Sequence, residues 1–390
     1  MDAPTPATLL RFLVGDREAI LRLAGCRRTL WLGAVLVLAA GLAREYDQED
    51  LLRAPWYLAI PFGASTVVAF LVLLVTRQWG EGRPFWREFS RFLGLFWMTA
   101  PIGLLYGIPY ERFLSPTDAM NANLWTLAVV AAWRVLLMAR VTSVFTGRGL
   151  VASFFLIMPI ADGLAALGLM YMPVPLMSFM GGIPVTPAEH QLSSIHFLAL
   201  TFTTFSWLVW LLFGVGAYQM HTGRPPALQS TDASPRPALW AAAIACVAIW
   251  LVFLPATQRA QRLRTTVERQ LYAGDYAGAL TELSRHQPAD YPPHWSPPPL
   301  IGWPTARPDL LPVVDAMAAR TDIAPWVRAV YVDKFERRYI GSGMMFGPHK
   351  QPEIEAVLDR LPESAALRSK HAEELERFRE IETLTTRQAN

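Results

Sequence analysis

Two opposite charges lie deep inside long apolar runs of this chain: Arg134, within residues 124–144, and Asp162, within residues 150–172. In hydrocarbon such a charge costs at least about 2.5–3.5 kcal/mol on insertion scales, so it must be neutralised by a partner or serve an ion, a proton or a substrate. Pro159, three residues before Asp162, and Gly163 after it loosen that helix and expose backbone carbonyls as extra ligands. Thr146-Gly-Arg-Gly149 is a short turn, and both charges lie fourteen positions from Arg148. In an antiparallel helical hairpin, equal counts mean equal depth. The spacing predicts a pair, Arg134 with Asp162, either an ion pair that locks two helices or the centre of a transport pathway.

Other chemistry-bearing groups are weaker. Glu45, Asp47, Glu49 and Asp50 form an acidic cluster that could take a divalent cation through oxygen ligands, but the spacing is not that of a calcium loop. The plainer reading has Asp47 capping a short helix with Asp50 at its third position. Glu189, His190 and His196 precede another apolar run, with the histidines six apart instead of on one helical face, so no zinc site is expected. Gly341-Ser-Gly-Met-Met-Phe-Gly-Pro-His-Lys lacks the strand and the Gly-Lys-Ser/Thr ending of a phosphate cradle and reads as a surface loop. No catalytic nucleophile motif appears. No metal, cofactor or enzymatic activity is expected.

The elements that must carry these residues follow from composition. Of 390 residues, 53% are hydrophobic and 17% charged, against roughly 25% charged in soluble domains. The first 257 residues hold 17 basic and 14 acidic side chains, whereas the last 133 hold 18 of each. The chain is thus read as an amphipathic interfacial segment (1–28), a transmembrane bundle (29–257) and a helical soluble domain (258–390). Of the 35 basic residues 32 are Arg, without a polybasic face, which sets nucleic acid aside. The fold class is all-α, with about seven spans of the ~20 residues a bilayer requires: 29–43, 56–75, 92–108, 124–144, 150–172, 197–218 and 239–255. Arginines concentrate in alternate loops, which puts the N-terminus in the cytoplasm. Seven spans then put the C-terminal domain outside, although Arg259, Arg262, Arg264 and Arg269 form an inside-type flank. An eighth crossing after Met172 is the alternative, but Pro and Gly there favour a re-entrant segment.

In the soluble part, 265–273 and 276–286 read as a hairpin turning at Gly274-Asp275. Gly274, Asp275, Tyr276 and Ala279 resemble the turn of a tetratricopeptide repeat, once, over about 265–288. A Pro-rich strap (288–308) follows, then helices over 310–320, 325–339 and 352–384, the last broken at Pro362. Ala43-Arg-Glu-Tyr-Asp-Gln-Glu-Asp-Leu-Leu, Phe96-Trp-Met-Thr-Ala-Pro-Ile-Gly-Leu-Leu-Tyr-Gly-Ile-Pro-Tyr-Glu-Arg-Phe-Leu and Asp290-Tyr-Pro-Pro-His-Trp resemble an uncharacterised group of bacterial multi-spanning membrane proteins. That resemblance implies a bacterial cytoplasmic membrane location and transfers no activity. The expected function is binding of a partner protein through the helical C-terminal domain, with membrane lipid as the other partner. The alternative is a transporter or channel working through Arg134 and Asp162.

Overall fold

The computed structural model describes residues 3–78, 84–171, 187–220, 226, 234–299, 309–340, 351–361, 365–373 and 376. The segment after Met172, the run 341–350 and most of the last charged helix lie outside these. The fold is all-α. The chain divides into two compact units: Met1–Tyr171 with Ala199–Arg259, and Met172–Leu198 with Ala260–Asn390.

The first unit begins with α1 (Pro6–Leu13) and α2 (Arg17–Gly25), capped by Thr5 and Asp16. Part of the segment's apolar face is seated on protein, Phe12, Ile20 and Leu23 being fully buried within the main core, while Leu10 and Val14 are exposed. Next comes α3 (Thr29–Glu45), whose 17 residues reach about 25 Å at 1.5 Å per residue, short of a ~30 Å hydrocarbon core. Leu32, Leu36 and Leu42 are buried while Trp31 is exposed, so α3 is a short apolar helix largely covered by its neighbours. Six other stretches among the described residues are long and apolar enough to cross a membrane, one fewer than the seven expected, because α3 is the short one.

The helices in those stretches are α4 (Ala59–Thr76), α5 (Phe85–Trp97), α6 (Pro116–Thr146), α7 (Leu150–Tyr171), α8 (Pro187–Tyr218) and α9 (Pro237–Tyr272). The third expected span is two pieces: α5 ends at Trp97 and the chain tightens into a 3₁₀ helix, Ala100–Gly107. Pro101 has no N–H to continue an α-helical ladder. Ser115 accepts from the Asp118 amide at 3.3 Å to start α6, and Gly147, at φ 75°, ends it. Large apolar side chains such as Trp125, Phe202, Leu212 and Val252 are exposed on these helices. Lipid is the solvent that such a surface requires.

In the second unit the expected hairpin forms. Helix α9 ends at Tyr272, Gly274 takes φ 82°, and the Asp275 carboxylate accepts from the Gly278 amide at 2.9 Å to start α10 (Tyr276–Arg285). Then come α11 (Leu310–Ala318), α12 (Pro325–Phe335) and α13 (Gln351–Arg360). The helix expected over 325–339 passes into one π turn, Glu336–Ile340. Ala279, Leu280, Val313, Tyr331 and Phe335 share one buried core. The strap is bound to that core. Tyr331 donates to the Pro298 carbonyl at 2.9 Å, the buried Lys334 ammonium donates to the Pro297 and Pro299 carbonyls, and Tyr291 stacks on Trp295 at 4.8 Å. Burial pushes the Tyr331 phenol well above its ordinary pKa, which keeps the proton it donates.

Candidate functional site

Asp162 lies in the middle of α7, 8% exposed. Its carboxylate accepts a hydrogen bond from Ser206 Oγ of α8 at 2.5 Å. One turn earlier in α7, the Pro159 carbonyl accepts from the Trp207 indole N–H at 3.0 Å. Gly163 makes this approach possible, since a Cβ there would stand 2.9 Å from Trp207 Nε1. A Pro-containing turn of α7 is therefore knitted to α8 by two adjacent residues, Ser206 and Trp207.

Arg134 has different neighbours. Its guanidinium stands over the Phe96 ring, 5.9 Å from the centroid, and interacts electrostatically with Tyr106. Arg134 and Asp162 form no ion pair among the described residues, so the expected pairing is corrected. Equal depth fixes height on a helix but not rotation about its axis: Arg134 of α6 turns to α5 and the Ala100–Gly107 segment, Asp162 of α7 to α8. Sequence reasoning passed over Ser206 and Trp207, because a lone Ser or Trp in an apolar run carries no signal of its own.

The acidic cluster is dispersed by arginines. Asp47 pairs with Arg112 through two bonds of 2.6 and 3.0 Å. Glu45 meets Arg44 at 3.2 Å, and Asp50 meets Arg53 at 3.8 Å. Asp47 is therefore an ion-pair partner instead of a helix cap. The loop is clamped from α9, where the buried Gln258 amide donates to the carbonyls of Tyr46 and Glu49 at 3.1 and 3.0 Å and accepts from the Leu52 amide at 3.2 Å. Thr257 adds a bond to Tyr46. Glu49 is a backbone acceptor in that clamp. His196 is buried, whereas the side chains of Glu189 and His190 lie outside the described residues. Among the described residues no three His, Cys, Asp or Glu side chains gather as a metal site.

Two clefts open in the first unit. One, of 520 Å³, lies between the α1–α2 elbow and the α6–α7 hairpin and is lined chiefly by apolar side chains, Trp133, Leu136 and Phe154 among them. The other, of 390 Å³, is lined by Arg27, Arg87 and Arg91. Neither is lined by Arg134 or Asp162. Compared with known protein families, with curated proteins and with solved structures, the chain matches none. The bacterial membrane-protein resemblance therefore rests on its three sequence stretches alone, and the repeat-like turn of Gly274, Asp275, Tyr276 and Ala279 is seen as a single hairpin.

Proposed function

We propose that this chain is a multi-pass membrane protein that binds a partner protein through its second, helical unit and does no chemistry of its own. The supporting observation is the contrast between the units. The first exposes many large apolar side chains, while Tyr272 alone among the described residues 260–376 is a large hydrophobic at the surface. A helical unit with its own core and a water-suited face has that face to offer, and the partner surface it fits is polar, with charged groups complementary to ion pairs such as Arg320–Asp322 and Lys370–Glu336. Crosslinking in native membranes followed by purification tests this. A stoichiometric companion should accompany the full chain and be lost when the chain ends at residue 259. No companion, or one retained by the shortened chain, overturns it.

We further propose a bacterial cytoplasmic membrane location with the N-terminus cytoplasmic and the second unit on the opposite side, which needs an odd number of crossings: the short α3, packed beside the long apolar stretch Phe85–Arg112, is the seventh. Ser369→Cys, on an exposed face, should then react with an impermeant thiol reagent once the outer membrane is permeabilised. Reaction only after lysis reverses that orientation. A second reading, transport of a proton or small cation, is favoured by one observation: Asp162 has a hydroxyl partner in the membrane, not the arginine that would make it inert. Asp162→Asn should then abolish ion flux in proteoliposomes while the protein stays folded. Flux that is absent in wild type, or unchanged in the variant, rejects it.

A further inference from the structure

The 390 Å³ cleft joins residues that are far apart in sequence. Cys26, Arg27 and Thr29 come from the connection between α2 and α3, while Arg87, Ser90 and Arg91 come from the first two turns of α5. Its volume lies in the range of small-molecule sites, about 300–1,000 Å³. Among the described residues three arginines line it and no acidic residue does. The nearest carboxylate in sequence, Glu88, is already engaged by Arg77 at 2.8 Å. Neither Arg27 nor Arg87 forms an ion pair with a described residue. Guanidinium groups that line one cleft repel one another, and an anion between them offsets that repulsion.

Position narrows the ligand. Thr29 begins α3 and Arg87 lies near the start of α5, so the cleft sits where spans leave the bilayer, at headgroup level. The α3 N-terminus adds its positive dipole end. General retention of basic residues on one side of a membrane accounts for arginines in a loop, but not for three from two elements around one concavity.

We propose that this cleft binds a phosphate anion, Arg27 and Arg87 being its principal ligands, with an anionic phospholipid headgroup or a free phosphate as the source. The test uses the full chain purified in uncharged detergent, with thermal unfolding followed by Trp fluorescence during titration. Phosphatidylglycerol, phosphatidylcholine and inorganic phosphate are the three titrants. Saturable stabilisation by phosphatidylglycerol but not by phosphatidylcholine supports the lipid source. Stabilisation by inorganic phosphate without a phosphatidylglycerol effect supports the soluble source. At about fivefold per arginine, Arg27→Gln/Arg87→Gln should weaken the effective titrant by roughly 25-fold, whereas Arg27→Lys/Arg87→Lys should retain most of it. Arg17→Gln, an exposed arginine of α2 outside the cleft, should change nothing. Equal stabilisation by both lipids with no phosphate effect overturns the proposal, as does a double Gln variant that titrates like wild type or an Arg17→Gln loss of equal size. Should the double variant fail to fold, the wild-type comparison of titrants and its reversal by salt still decide the matter.

Discussion

Two double-mutant cycles that share Asp162 separate the observed contacts from the pairing that depth alone suggested. In the first, Ser206→Ala and Asp162→Ala are made singly and together. Interhelical hydrogen bonds in membrane bundles contribute about 0.6 kcal/mol on average and at most ~1.7 kcal/mol. The Ser206–Asp162 bond is at the short end for O–H···O at 2.5 Å, and its acceptor residue is buried, so a coupling near the upper end, about 1–1.7 kcal/mol, is expected. In the second cycle, Arg134→Ala is combined with Asp162→Ala. Without a direct contact the two effects should add within about 0.3–0.5 kcal/mol. Breaking a buried ion pair would instead cost about 3–5 kcal/mol, with a coupling of similar order. The assay is unfolding from mixed micelles by graded detergent, read by Trp fluorescence. A coupling above about 2 kcal/mol for Arg134 with Asp162, together with none for Ser206, would refute the reasoning. The exchange Arg134→Asp/Asp162→Arg should rescue nothing, since each new charge would face the other's neighbours.

Gln258→Ala removes three hydrogen bonds from the 46–52 loop; at about 1 kcal/mol each it should cost roughly 2–3 kcal/mol and speed tryptic cleavage after Arg53. Gly163→Ala drives a methyl to 2.9 Å from Trp207 Nε1 and should cost about 1–3 kcal/mol by overpacking, whereas Gly168→Ala, with nothing within 4 Å, should not destabilise; thermal unfolding of the two variants compares them. Burial pushes the His371 imidazole below its ordinary pKa, so the unfolded chain binds the proton more readily. His371 stability is therefore full above about pH 6.5 and lost as pH falls through the folded value, and His371→Gln should flatten that acid-side decline in a comparison of unfolding at pH 7.5 and 5.5.

What the sequence made legible were the apolar runs and the sharp turns. Runs of apolar residues give the spans, because backbone in lipid must satisfy its own hydrogen bonds. Gly274-Asp275 gives a turn, because a positive φ suits Gly and a short carboxylate suits an N-cap. What stayed hidden was rotation about each helix axis. A hairpin count places Arg134 and Asp162 at one height, yet which neighbour each meets depends on how every helix packs, a long-range outcome. The same limit hid the Gln258 clamp, whose partners lie 206 to 212 positions away. The weakness of α3 as a span was legible in its shortness. Its cover by neighbouring helices was not, since an apolar run reads alike whether it faces lipid or protein.

The arginines at the start of α3 and α5 and at the ends of α4 and α6 show the same divide. In sequence they are one class, basic flanks that set orientation. In the fold they do different work. Arg77 is buried in an ion pair with Glu88, Arg140 donates to the Gly15 carbonyl at 3.0 Å, and Arg148 donates to the Thr76 carbonyl at 2.8 Å beneath the Tyr218 ring. These join elements, and replacing one leaves a buried acceptor or a buried carboxylate without its donor, a structural cost. Arg27 and Arg87 join nothing among the described residues and face a cleft instead. A positive charge held in a concavity without a partner among the described residues gains free energy from an anion that enters, so removal of these two should be felt in ligand binding before it is felt in folding.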